Sequence, residues 1–355
     1  MGRLKWRRAL LLTGITAALL ASGWGMGVSS AQEHPHPTTP STTTPTTTTP
    51  GNPSPNPNQP PPVGTRRTIR YGPFTIPGAP TNPDGTHGHA HTGNMFQLGI
   101  QKPCSDCFVT GLVADLVYAD GTQANWSNDA QLHHMAMVNS AWGRSDATCS
   151  AAVLGFLGQR FFAAGDVRTR VSSPQGYGYY TGWFDSWSMI YELANHQTTP
   201  KQVYISMDYW YVPASWGQAP GMTNVEPVWL DIDQCGDSGY TTPQGPSSQR
   251  WTWTVNRPGR IVGAGGHLHD GGVDLDIRND STGARICNSV AGYGETPAYV
   301  GHHGERHLSS MSTCTAGAAP VATVSSGQRV SITANYDQPA SVPDAMGIAL
   351  LYVAP

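Results

Sequence analysis

Val203-Tyr204-Ile205-Ser206-Met207-Asp208-Tyr209-Trp210-Tyr211 puts Val, Ile, Met, Tyr and Tyr at alternate positions, with Ser206 and Asp208 on the opposite side. A period of two is the signature of a strand with one buried face. The same alternation recurs in Val273, Leu275 and Ile277 against Asp274, Asp276 and Arg278. Residues 108–118, 189–193, 329–336 and 347–353 read as further strands, and no comparably long stretch carries helical periodicity with caps. Charged residues are 12% of the chain, and 41 Gly, 29 Pro, 11 Trp and 14 Tyr suit turn-rich sheets. The expected class is all-β, as two antiparallel β-sandwich or jelly-roll domains. About 290 residues remain beyond the N-terminal segments, which is long for one sandwich. The Pro, Gly and Ser punctuation between 212 and 245 divides them into an N-terminal domain at 65–225 and a C-terminal domain at 226–355.

The N-terminus points to export. Arg3, Lys5, Arg7 and Arg8 precede an apolar run that ends at Ser29-Ser30-Ala31, so residues 1–31 read as a cleaved secretory signal. The alternative, an uncleaved anchor, meets a run interrupted by Gly14, Ser22, Gly23 and Gly25. No other segment is apolar for long enough to span a bilayer, so no stable membrane insertion is expected after cleavage. Residues 32–64, rich in Pro and Thr, lack the apolar surface to offset ordering and read as a disordered linker. His34 and His36 within it are either a metal-capturing pair or ordinary linker residues. The formal net charge is −3 before the basic signal is removed, which argues against nucleic acid as a partner. Six cysteines in an exported chain read as three disulfides, with Cys287–Cys314 the first pairing expected. Cys104-Ser105-Asp106-Cys107 reads as structural, since no second such pair accompanies it.

Of the thirteen histidines, the eleven beyond His34 and His36 are grouped: His87, His89 and His91; His133-His134; His196; His267 and His269; and His302, His303 and His307. Imidazole is a common ligand for copper and zinc, and grouping lowers the cost of collecting several at one ion. In Gly265-Gly266-His267-Leu268-His269-Asp270-Gly271-Gly272 the two imidazoles leave one face of a strand, a geometry for capturing one ion. Asp270 is placed to orient a ring nitrogen, and the competing reading is a solvated hairpin end. In Leu132-His133-His134-Met135-Ala136-Met137 neighbouring side chains point to opposite faces, so one shared ion requires a backbone twist or a different ring nitrogen from each. Met135 and Met137 read as core. His87, His89 and His91 read as a mobile loop or a further metal site, and His302, His303 and His307 as surface or supporting groups.

LHHMAM, then GHLHDGG, then Asp344-Ala345-Met346 in PDAMGIALLYVAP resemble, in order, the copper type II ascorbate-dependent monooxygenases of the peptidylglycine α-hydroxylating and dopamine β types. PCSDC and GHLHDGG are closer still to secreted proteins of the stress-up-regulated nodulin type. The resemblance implies two coppers: His133, His134 and His196 holding one that transfers electrons, and His267, His269 and Met346 holding the one that activates dioxygen. A thioether beside two imidazoles favours Cu(I). The sequence departs from the pattern in three ways. His196 lies beyond the strand position of the family's histidine, with Asn195 as the alternative occupant. Gly347 stands where the family has cysteine. No Arg and Tyr set marks a peptide carboxylate pocket.

Two functions follow from this reading. One is a secreted copper-dependent monooxygenase hydroxylating a C–H bond of an unidentified extracellular substrate, using one or two copper ions, O2 and a reductant such as ascorbate. The other is a non-catalytic copper-binding or carbohydrate-associated sandwich protein. The sequence leaves substrate and oligomeric state open.

Overall fold

The computed structural model describes residues 61–355 apart from 82–87, 151–157 and 237. The expected signal, most of the linker, His34, His36 and His87 lie outside the described residues.

The alternating segment 203–211 forms the body of strand Lys201–Pro213, which pairs with Thr65–Ile76 on one side and Cys107–Val117 on the other. Val203, Ile205, Met207 and Tyr209 are fully buried, so the period of two reports a real inner face. Tyr177–Thr181, Thr223–Asn224 and the short Val171–Ser172 complete this first, six-stranded sheet. A second sheet orders Ala90–His91, Trp187–Asn195, Ala130–Asn139 and Gln159–Gly165, with Met95–Ile100 also on Trp187–Asn195. A third orders Glu226–Asp231, Gly347–Ala354, Gly259–Leu268 and Thr313–Thr315, with Ala322–Val324 added to Gly259–Leu268. A fourth orders Gly245–Thr254, Arg329–Gln338, Gly272–Asn279, Ala284–Tyr293 and Leu308–Met311. Tyr240–Thr242 pairs with Val342–Ala345 as a small ribbon. Two single 3-10 turns, Trp126–Asn128 and Pro297–Tyr299, are the helical elements among the described residues.

All-β content is as expected, but the two jelly-roll sandwich domains are not found. The four large sheets are instead set as the four blades of a β-propeller. The terminal strand Gly347–Ala354 shows why the cores cannot be assigned sandwich by sandwich. Its sequence GIALLYVA is apolar throughout, and every residue of it is buried. Ile348, Leu350 and Tyr352 join a hydrophobic cluster with the first and second sheets. Ala349, Leu351 and Val353 join another with the fourth. Both faces of the third sheet are therefore internal, where each buried Leu or Ile contributes roughly 1.5–3 kcal/mol.

Three disulfides, Cys104–Cys107, Cys149–Cys235 and Cys287–Cys314, account for all six cysteines. The pairing of Cys287 with Cys314 is the one expected, and the set indicates folding in an oxidising compartment. No helix of the described residues is long and apolar enough to cross a membrane.

Candidate metal centre

His133 and His134 are consecutive on strand Ala130–Asn139, so a regular pleat would send their rings to opposite faces. The register against Trp187–Asn195 shifts between Leu132 and His134, with His134 opposite Glu192. That bulge turns the two rings together, and their Nδ1 atoms lie 3.0 Å apart. His134 Nε2 sits 2.9 Å from Asn94 Oδ1 and 3.7 Å from Glu192 Oε2. The other oxygen of Glu192 is 2.8 Å from His91 Nδ1, and the His91 ring centroid lies 4.9 Å from that of His133.

His269 reaches the same place from the third sheet. It follows strand Gly259–Leu268 and begins a turn in which Gly272 N–H donates to the His269 carbonyl, with Gly271 at φ +85°. The Tyr336 hydroxyl accepts the His269 backbone N–H at 2.9 Å and donates to the Met346 carbonyl at 2.5 Å, tying the two segments together. His269 Nδ1 lies 2.7 Å from the Asp344 carbonyl, so it carries the proton and leaves the Nε2 lone pair free to ligate. Nε2 is buried with no hydrogen-bond partner.

The ligand atoms of His133, His134 and His269 all lie within 4.8 Å of one another, and so do those of His91, His133 and Glu192. Two overlapping three-group sets thus share His133. The His267 ring is 5.3 Å from His269, and both its nitrogens are buried without partners. Its Cε1 occupies the space a Cβ would take at Gly165, 2.6 Å away, so a glycine there is what admits the ring. Met346 is buried beside them in sequence and register, since the next residue, Gly347, pairs with Leu268.

Burial is the first cause that lowers His133, His134 and His267, and the neighbouring imidazoles add to it. His133 and His267 lie well below the ordinary histidine range. His134 is pushed down to about 4 by burial, against the opposing pull of Glu192. The partnerless ring nitrogens of His267 and His269 fit a metal ion, because a lone pair there remains available to it. The set is nitrogen-dominated with one carboxylate, and it suits copper or zinc.

The structure regroups the residues expected to form two separate centres. His133 and His134 meet His269, whereas His196 joins neither ligand set. Asn195 donates its side-chain amide to the Pro77 and Thr199 carbonyls, and His196 N–H donates to the Asp129 carbonyl, which fixes the strand end. The His196 ring then packs on Trp126 at 4.5 Å and on His89 at 4.2 Å. Trp126 also stacks on His307, whose Nδ1 lies 2.6 Å from Asp270 Oδ2. Asp270 therefore orients His307, and His302 reaches Asp129 at 2.7 Å. Sequence reasoning missed Glu192. Its signal was a lone carboxylate in the otherwise mostly apolar strand WSMIYELAN.

An all-β chain with half-buried imidazoles converging from two sheets has the makings of a metalloprotein. Residues 193–355 match the family Stress up-regulated Nod 19. Two similar proteins are named for a metal. One is "Probable copper-dependent oxygenase M1" of Phoma sp., 28% identical over 309 residues, with 81% of this chain and 72% of that protein covered. The other is "Probable copper-dependent oxygenase clz3" of Cochliobolus lunatus, 28% identical over 260 residues, with 68% and 77% covered. The likeness drawn from LHHMAM, GHLHDGG and Asp344-Ala345-Met346 to copper monooxygenases, and from PCSDC and GHLHDGG to the stress-up-regulated nodulin type, is supported by these matches as one to copper-dependent oxygenases and the stress up-regulated Nod 19 family. Among solved structures, the major capsid protein of bacteriophage PM2 overlaps 82% of this chain and 97% of that one at a TM-score of 0.29 and 10% identity, too loose an overlap to define a shared fold.

Proposed function

We propose that the protein is a secreted copper-dependent oxygenase that hydroxylates a C–H bond of an extracellular substrate, with ascorbate or a similar reductant. The observation that carries this reading is the meeting of His133 and His134 with His269 across two sheets. The names of the two similar proteins, at 28% identity, support copper as the ion and oxygenation as the reaction class. Copper, when bound, supplies one-electron redox chemistry and dioxygen activation.

The chain's own groups divide the work. His133, His134 and His269 are the ligands, with His267 and Met346 completing the oxygen side, one copper ion or two being held in all. Asp344 keeps the proton of His269 on Nδ1 through its carbonyl. Glu192 holds His91 in place and balances charge beside His134. The surrounding strands leave the rings half-buried and so limit their contact with bulk water.

The test is copper content of the purified mature protein, followed by oxygen uptake with ascorbate. Bound copper with reductant-dependent uptake is expected. Bound copper without uptake in any reductant would favour a copper-binding protein without catalysis, and no bound copper would overturn both readings.

A further inference from the structure

Beside His267 the structure holds a narrow apolar trough that the ligand set does not use. It lies between strands Gln159–Gly165 and Gly259–Leu268, with a volume of about 60 Å³. Its origin is legible in Gly263-Ala264-Gly265-Gly266-His267. Positions 263, 265 and 267 share one face of the strand, and the first two carry no side chain. The floor they leave bare is walled by Ala164, Val167, Ile348 and Leu350, and His267 lines the trough with them. Thr169, Val171, Thr313 and Thr315, all half-buried, also line it.

Size and chemistry select the guest. Benzene and xenon occupy a dry apolar cavity of roughly 150 Å³, so a trough less than half as large excludes a ring or a substrate chain and admits a small gas molecule. Its walls are mostly Ala, Val, Ile, Leu and glycine Cα, which hydrogen-bond poorly to water and cost an apolar diatomic nothing to enter. We infer that this trough is a binding site for dioxygen, delivering it to the His267 side of the metal cluster. The choice of dioxygen as the guest rests on the copper-oxygenase reading, whereas the site itself rests on the geometry of the trough.

Xenon separates the two. Crystals of the mature, copper-free protein under xenon pressure should show anomalous density between Gly265 and Ile348. Gly263→Val should abolish it. A Cβ at 263 meets only the Tyr352 ring, at 3.5 Å, so the variant is expected to fold, and Gly263→Ala is the milder companion that should reduce xenon occupancy. Ordered water in the wild-type trough, or no xenon there, would overturn the site. In copper-loaded protein with ascorbate, Gly263→Val should raise KM for O2 several-fold and leave kcat at saturating O2 unchanged. An unchanged KM for O2 would overturn the delivery role. Xenon in the trough of a protein that takes up no oxygen would overturn dioxygen as the guest and the oxygenase reading with it, while the apolar gas site would stand.

Discussion

The imidazoles of His133 and His269, carried by different sheets, have ring centroids 4.7 Å apart and planes inclined at 63°. The pair spans what the sequence pattern divides between two copper centres, so each ring should matter to the same ion. His133→Ala and His269→Ala should each lower copper affinity by about 100-fold or more, since loss of even an outer partner of a ligand costs 10–100-fold. Competitive chelator titration measures this. If His269→Ala bound copper with wild-type affinity, the shared site would be wrong.

His196 offers the contrasting case. Its ring stacks on Trp126, meets His89 edge-on and lies in neither ligand set. His196→Ala should leave copper content unchanged and lower stability by about 1–3 kcal/mol, because a half-buried aromatic stack is lost. Denaturant unfolding and metal analysis of the same sample test it. Loss of copper with unchanged stability would restore His196 as a ligand.

These two histidines show what the sequence could and could not disclose. The strand class follows from alternation at 203–211, because side-chain period is a local property. The sharing of cores was hidden. A strand such as GIALLYVA, apolar on both sides, reads the same whether it faces one neighbour sheet or two. His133 and His134 were legible as candidates, but the bulge between Leu132 and His134 that aligns them is a feature of pairing with Trp187–Asn195. The arrival of His269 depends on sheet packing, which no local pattern encodes. His196 was drawn away by Asn195, whose amide clamps the strand end to Pro77 and Thr199.

Asp166 predicts a pH dependence. Burial pushes its carboxyl up to about 7, against the lowering influence of Arg168. The unfolded chain releases this proton near pH 4, whereas the native protein keeps it until near 7. Between those values the native state binds more protons, so stability falls as pH rises, with a slope approaching about 1.4 kcal/mol per pH unit. Asp166→Asn should flatten the fall in Tm between pH 5 and 7. Parallel wild-type and variant profiles would place the titration elsewhere.

The Cys149–Cys235 disulfide joins residues 86 apart in sequence and so restricts a long loop of the unfolded chain. On the chain-entropy account its removal costs roughly 4–5 kcal/mol. Cys149→Ser with Cys235→Ser should lower Tm by several degrees, and a change below one degree would contradict a structural role.

Copper stoichiometry carries the last prediction. The sets His133, His134, His269 and His91, His133, Glu192 overlap at one imidazole. His133 turns Nδ1 toward His134, at 3.0 Å, while its Nε2 lies 4.0 Å from an Asp344 carboxylate oxygen. A first ion bound by His133, His134 and His269 brings positive charge close to the second set, which has only one carboxylate to offset it. Even two unit charges about 4 Å apart repel by about 4 kcal/mol at an effective dielectric near 20, and doubly charged ions repel by more. Isothermal titration with copper should therefore show one tight site and a second at least about tenfold weaker. Glu192→Gln, which removes the offsetting charge, should weaken the second step more than the first. Two equal and independent steps, both untouched by Glu192→Gln, would mean that the ions occupy separate centres and that the convergence of His133 with His269 does not govern binding.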